Sequence, residues 1–267
     1  MYSTTYHRPT TVADAVKLRK KAEDGQFVSG GMTLIPAMKT RLAAPSDLVD
    51  LRHVGELKGI KVSGKTVTIG AATTHAEVAE SAKLRKVCPA ICDLAAHIGD
   101  PHVRHMGTIG GSLANNDPSA DYPAAMLALG ATIVTDKREL AADKFFKGLF
   151  ETALKDDEIV TAVTFTVPAK CGYAKFPNPA SRYAMTGVFV AKTKDGVRAA
   201  VTGAGEDGVF RAREVEAALA KKFDASALEG VSVPSKDLMS DIHASAEYRA
   251  NLVVVMAKRA VAAANAG

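Results

Sequence analysis

Tryptophan is missing from the 267 residues, and phenylalanine and tyrosine together supply an aromatic share of only 6%. So thin a stock leaves few platforms for stacking bases. The net charge of +5 is also carried by lysines and arginines spread along the chain, and both observations argue against a nucleic-acid partner. Cysteine is scarce too. Cys88, Cys92 and Cys171 form neither a C-x-x-C pair nor a disulfide framework, and three thiols fall short of the four that an iron–sulfur cluster usually takes, so they read as buried free thiols. No apolar run approaches the ~20 residues that cross a bilayer. The opening Met1-Tyr2-Ser3-Thr4-Thr5-Tyr6 has no apolar core of a secretory signal, so the expected location is the cytoplasm. A hydrophobic content of 47% with 24% charged residues is that of an ordinary globular protein, long enough for one large domain or two to three small ones.

Familiar catalytic patterns are also lacking. There is no G-x-S-x-G, no H-E-x-x-H and no nucleophile beside a recognisable base, which favours a cofactor-holding role over acid–base chemistry. His97, His102 and His105 include an H-x-x-H, but no cysteine or carboxylate completes a set, so no metal site is expected. Gly59-Ile60-Lys61-Val62-Ser63-Gly64-Lys65-Thr66 satisfies the P-loop pattern. A P-loop must open a helix, and here the alternating Val67-Thr68-Ile69 follows, so the lysine belongs to a hairpin turn. Gly203-Ala204-Gly205-Glu206-Asp207-Gly208 satisfies G-x-G-x-x-G after an expected strand, with Asp224 at the spacing of a ribose-binding acid. Glu206 and Asp207 would set two negative charges beside a pyrophosphate, so a nicotinamide-binding unit stays only as an alternative.

What the chain does have is glycine in pairs. Gly107 to Pro123, GTIGGSLANNDPSADYP, is too long for a plain connection and holds Gly110-Gly111. Backbone without side chains can touch a ligand directly, and clustered amides suit an anion. A second pair, Gly30-Gly31, follows the expected strand Phe27-Val28. Around these, Thr11-x-x-Asp14 and Thr74-x-x-Glu77 read as helix starts, Pro89 as the first residue of a helix to Ala96, and Ala124 to Leu129 as a helix stopped at Gly130. Ile60 to Ile69 reads as a hairpin, Ala131 to Thr135 and Ile159 to Val167 as strands, and Phe145-Phe146 as core anchors. Pro168 to Pro179 reads as a boundary. Beyond it come strands over Tyr183 to Lys192 and Val197 to Thr202, then helices over Glu214 to Leu219 and Glu247 to Ala264.

Together and in order, SGGMTLIPAMK, IGDPHVRHMGTIGGSLANNDPSADYPA, PASRYAMTGVFVA and VTGAGEDGVFRAREVEAAL resemble the FAD-binding medium subunit of the molybdenum hydroxylases, the xanthine dehydrogenase and aerobic carbon monoxide dehydrogenase family. The resemblance runs nearly end to end. It implies an α+β, vanillyl-alcohol-oxidase-like FAD-binding fold, with α/β subdomains at 1–55 and 56–168 and a C-terminal antiparallel-sheet-and-helix domain at 173–267. The flavin would contact Ser29, Gly30, Gly31, Met32, Thr33, Leu34, Ile98, Thr108, Ile109, Gly110, Gly111, Ser112, Asp121, Val160 and Tyr183. Amides around Gly30-Gly31 and Gly110-Gly111 would hold the pyrophosphate. Asp121 would accept from the flavin or cap the helix that follows. Implied partners are a small subunit with [2Fe-2S] clusters and a large molybdopterin subunit, in a dimer of heterotrimers that passes electrons to an external acceptor, in the cytoplasm or peripherally at the inner membrane face. The wording is most like the carbon monoxide dehydrogenase branch; a xanthine, aldehyde or N-heterocycle dehydrogenase subunit is the alternative. A free-standing FAD oxidoreductase and a non-catalytic module for another phosphorylated ligand are more distant ones. Two departures stand out. Arg104-His105-Met106-Gly107 replaces the family's Arg-Asn-x-Gly, and Met185 stands near where xanthine oxidoreductases carry a lysine.

Overall fold

A computed structural model describes residues 1–266, in which three main sheets follow one another along the chain, beside a separate two-stranded hairpin. The first is parallel, with β1 (Thr5–His7) and β2 (Gly25–Val28) flanking β3 (Asp47–Asp50). Helix α1 (Val12–Lys21) joins β1 to β2. It starts where the Thr11 hydroxyl accepts the Asp14 amide at 3.1 Å, and it buries Ala15 among Val49, Leu51 and Val54. A short α2 (Leu34–Lys39) leaves the end of β2.

The second sheet is antiparallel. Strands β4 (Ile60–Ser63) and β5 (Thr66–Gly70) form the expected hairpin, with Ser63 opposite Thr66 and Gly64 at φ +57°, so the P-loop pattern is a β-turn. Six helices come next: α3 (His75–Ala79), α4 (Ala82–Val87), α5 (Pro89–Ala96), α6 (Pro101–Met106), α7 (Ile109–Asn115) and α8 (Tyr122–Leu129). Then come β6 (Thr132–Thr135), β7 (Glu139–Ala141), α9 (Ala142–Phe145), a small hairpin of β8 (Phe146–Gly148) and β9 (Glu151–Thr152), and β10 (Val160–Thr166). The sheet order is β4-β5-β10-β6-β7. Every residue of α8 is buried, as an apolar-all-round helix must be. It fills a core with Ile69, Leu94, Leu113, Ile133 and Val163.

The third sheet runs β11 (Lys170–Pro177), β12 (Ala184–Thr193), β13 (Gly196–Thr202), β14 (Phe210–Arg211), with α10 (Arg213–Lys221) and α11 (Ala246–Ala266) after it. Strand β12 is buried from Ala184 to Ala191, and its alternation explains why. Phe189 and Ala191 enter the core of α5 and α8, while Val188 and Val190 meet α10 and α11. The third sheet is therefore clamped between two helical layers, and one of its faces reaches the second core.

Two stretches differ from their sequence reading. Gly107 to Pro123 is not all loop, because α7 occupies its middle and ends at Asn116, which takes the left-handed C-cap (φ 43°). Residues 170–177, inside the expected boundary, pair with β12 throughout. Gly172 is required there because a Cβ would lie 1.9 Å from the Ala260 carbonyl oxygen of α11. The G-x-G-x-x-G stretch is a turn between β13 and β14. Gly203 (φ +80°) and Gly208 (φ +96°) are left-handed, and the next helix begins only at Arg213, so the nicotinamide alternative falls. All three cysteines are free and buried, with the sulfurs of Cys88 and Cys171 3.4 Å apart. Among the described residues, no helix is long and apolar enough to cross a membrane.

Candidate functional site

The site begins where β2 runs out at Val28. The chain turns through Ser29-Gly30-Gly31, with Gly31 at φ +72°, a conformation most side chains avoid. A Cβ on Gly30 would sit 2.2 Å from the Met106 carbonyl oxygen and 2.6 Å from Gly107 Cα. The first glycine segment lies against the second only because that side chain is missing. Thr108 ties them together: its hydroxyl donates to Ser29 Oγ at 3.1 Å and accepts the Gly111 amide at 3.2 Å. The second segment is in turn pinned to the loop before α3. His75 N–H donates to the Gly107 carbonyl at 2.9 Å, Ile109 N–H to Thr73 at 3.1 Å and Gly110 N–H to Ala71 at 2.8 Å.

These bonds divide labour between the glycines in a way the sequence does not show. Gly110 is a packing glycine whose added Cβ would lie 2.5 Å from Ala71 Cβ, and its amide is already engaged. The Ile109 side chain is fully buried in the core. Gly111 is exposed, and a Cβ there would meet only Thr108 Oγ1, at 3.0 Å. In the other glycine segment, the amides of Gly30, Gly31, Met32, Thr33 and Leu34 have no acceptor among the described hydrogen bonds. A run of unengaged backbone N–H groups is a nest for an anion. The expectation that both glycine pairs offer amides is thus corrected: the unengaged ones belong to residues 30–34, while Gly110 and Gly111 donate within the protein.

Between the segments lies a cavity of about 720 Å³, within the ~300–1,000 Å³ usual for small-molecule sites. Of the residues expected at the site, Ser29, Gly30, Gly31, Met32, Thr33, Leu34, Ile98, Thr108, Gly110, Gly111, Ser112, Asp121, Val160 and Tyr183 all line it. Ile109 does not, for the reason given. Met185, buried at the start of β12, does not line it either. His105, which replaces the family's asparagine, donates through Nδ1 to the Pro101 carbonyl at 2.7 Å within its own helix and stays exposed.

Asp121 is 5% exposed and stands just before α8. It makes no capping hydrogen bond, so the helix-cap reading is overturned. Its carboxylate accepts instead from the Tyr173 hydroxyl and from Lys175 Nζ, both on β11. Burial pushes the Asp121 carboxyl up, while Lys175 and Tyr173 pull it back. A second buried wall carboxylate, Glu158, is held by the Arg138 guanidinium at 2.8 Å and driven down to about 2. His75 also lines the cavity. Burial, and then the Arg104 guanidinium, push its imidazole down to about 4, so it is neutral near pH 7. Its ring centroid is 5.4 Å from that of Tyr122, and among the described residues neither its Nδ1 nor the Tyr122 hydroxyl has a partner.

His75 on the cavity wall, and Tyr173 and Lys175 holding Asp121 from behind it, are the residues that sequence reading missed. His75 was hidden inside a helix-start signature. The alternation of Tyr173 and Lys175, two apart and so on one strand face, was a usable signal, masked by the prolines and glycine around it.

Fold and cavity define an α+β protein that can seat an anion on backbone amides beside an apolar slot. Residues 2–169 match the family described as the FAD binding domain in molybdopterin dehydrogenase. The chain is 38% identical to the carbon monoxide dehydrogenase medium chain of Afipia carboxidovorans, over 98% of this chain and 96% of the relative. It is 34% identical to the nicotine 6-hydroxylase medium subunit of Paenarthrobacter nicotinovorans, over 98% and 97%. A chain in a crystal structure of Cu,Mo-CO dehydrogenase superposes with a TM-score of 0.87 at 36% identity, covering 100% of this chain and 99% of that one. The chain belongs to the FAD-binding medium subunits of the molybdenum hydroxylases. It is the flavoprotein component of a molybdenum-containing oxidoreductase, and its cofactor is FAD.

Proposed function

We propose that the cavity between the two glycine segments is the FAD site and that this subunit conducts electrons without itself oxidising the substrate. The observation that carries the placement is the run of unengaged amides at residues 30–34, which line the same cavity as Gly111. Those amides would hold the pyrophosphate, with the Ser29, Thr33 and Ser112 hydroxyls as further donors. Hydrogen bonds to a charged group contribute roughly 1.5–3 kcal/mol each, so a few anchor the cofactor without a lysine clamp. Ile98, Val160 and Tyr183 offer apolar surface for a flat ring, and Asp121 offers an acceptor. When bound, the flavin supplies the redox step between one-electron carriers and an external acceptor. The chain's own residues bind and orient it, exclude water from its buried edge and set the local charge.

The electron source we propose is a small partner subunit with [2Fe-2S] clusters, fed by a large molybdopterin subunit, in a cytoplasmic dimer of heterotrimers. The likeness to a carbon monoxide dehydrogenase medium chain makes carbon monoxide the first substrate to test. The 34% identity to a nicotine 6-hydroxylase subunit keeps N-heterocycles as the second. The test is to purify the chain with the products of its neighbouring genes and add each substrate without oxygen. Bleaching of the visible flavin band by one of them is expected. A complex whose iron–sulfur bands bleach while its flavin stays oxidised would sink the electron-transfer role.

A further inference from the structure

Asp121 differs from the other acids on the cavity wall in where its partner comes from. Asp100 caps α6 by accepting the Val103 amide at 2.9 Å, and Asp117 closes its own turn by accepting the Ser119 amide at 2.8 Å. Glu158 is held by Arg138, twenty residues back and beside the same sheet. Asp121 alone is paired with a cation from the third sheet. Lys175 Nζ lies 3.0 Å from Asp121 Oδ1 and donates to Oδ2 at 3.2 Å, and it also donates to the His97 carbonyl at 2.9 Å. The lysine side chain is only 5% exposed and the aspartate 6%. Tyr173, one strand repeat earlier, donates its hydroxyl to Oδ1. The other titratable groups around the pair are His97 at the end of α5, Tyr122 in α8, and Tyr183 and Asp117 toward the cavity.

A buried ion pair is an inefficient way to fasten two layers, since apolar residues of similar volume usually do as well or better. Beside a ligand cavity it has another use. We infer that Lys175 is a positioning residue for the flavin site: from the third sheet it keeps Asp121 a carboxylate, so that this part of the wall presents acceptors only. This rests on the FAD reading above. Burial favours the neutral acid, while the ammonium and the phenol favour the anion. Without Lys175, burial is opposed mainly by Tyr173. The balance then moves toward the neutral acid, which carries no charge and is a hydrogen-bond donor. Because the lysine is carried by β11, the seating of the third sheet and the polarity of the cavity wall are coupled.

The experiment measures the flavin midpoint potential in the assembled, FAD-loaded complex across pH for wild type, Lys175→Met, Lys175→Arg, Asp121→Asn and the double variant Asp121→Asn/Lys175→Met. Losing a negative charge beside the flavin favours the electron-rich reduced form. Asp121→Asn, which leaves the Lys175 cation in place, should raise the ratio of reduced- to oxidised-flavin affinity by about tenfold, equivalent to about 30 mV for a two-electron couple. Lys175→Met removes the positive charge together with the negative one, so its potential should equal that of wild type while Asp121 is protonated and fall as rising pH ionises Asp121. The double variant, in which neither position is charged, and Lys175→Arg should both stay near the wild-type value across pH. Lys175→Met should also acquire a pH-dependent step that Asp121→Asn lacks. Should Lys175→Met not fold, Tyr173→Phe removes another of the hydrogen bonds that hold the anion and should show a pH-dependent step in the same direction at lower pH. Full flavin content with a wild-type potential and pH profile in Lys175→Met, or in Tyr173→Phe if that variant must stand in, overturns the inference. So does a pH-dependent step that persists in the double variant, where position 121 can no longer ionise. If wild type itself holds no flavin, it is the FAD reading that fails.

Discussion

Gly110 and Gly111 are neighbours with opposite reasons for lacking a side chain, and two substitutions separate them. Gly111→Val projects two methyl groups into the cavity beyond Thr108, so the purified subunit should fold normally and carry little or no FAD, read from its visible absorbance. Gly110→Ala drives a methyl into Ala71, 2.5 Å from its Cβ. It should lower stability by about 1–3 kcal/mol whether or not flavin is present, as overpacking does, seen as a lower melting temperature. His75 supplies a pH signature. Its imidazole titrates near 4 in the folded chain against an ordinary 6.5, so between those values the unfolded state binds the extra proton. Stability is therefore unaffected well above pH 6.5 and falls as pH drops from about 6.5 to about 4. The loss is about 2 kcal/mol at pH 5 and approaches about 3 kcal/mol below pH 4. Urea titrations of wild type and His75→Gln at about pH 7 and pH 5 check this: the variant should lack that part of the acid loss.

Among the elements, α7 depends on one hydroxyl. Thr108 Oγ1 caps the helix through the Gly111 amide and bridges to Ser29, so Thr108→Val, which keeps the shape and removes the oxygen, should cost about 1–2 kcal/mol by chemical denaturation. An unchanged denaturation midpoint would mean that the bridge between the glycine segments carries no stability. The same helix marks the edge of what sequence reading could see. Thr74 with Glu77, and Pro89, announced α3 and α5 because capping is local chemistry, and both ends fall where those residues put them. Helix α7 was invisible because two glycines and two asparagines are poor helix formers. It exists because Thr108 caps it, Asn116 accepts a left-handed turn and Leu113 is buried below. Strand β11 was hidden by Gly172 and Pro177, whose reasons lie in α11 and in a register shift beside β12. The residues of the cavity were legible as motifs. The engagement of the Gly110 amide by Ala71 and the pairing of Asp121 with Lys175 join positions 39 and 54 residues apart, and only the fold brings them together.

At the scale of the whole molecule, the cavity draws on all three sheets: the end of β2 with its unengaged amides, Val160 of β10, and Tyr183 leading into β12. The third sheet is fixed to the second core by Phe189 and Ala191 and by Arg198, which donates to the Leu127 carbonyl at 2.7 Å. A site so assembled should bind its cofactor as a whole, with the backbone amides of residues 30–34 recognising the diphosphate and the walls recognising the ring. FMN carries the same ring on a single phosphate and lacks the diphosphate bridge. The most direct measurement is a titration of the deflavinated full-length subunit with FAD and, separately, with FMN. One FAD per chain is expected, with FMN at least about a hundredfold weaker, a difference of about 3 kcal/mol. FMN binding as tightly as FAD, or no binding of FAD at all, would contradict the placement of the pyrophosphate between the two glycine segments.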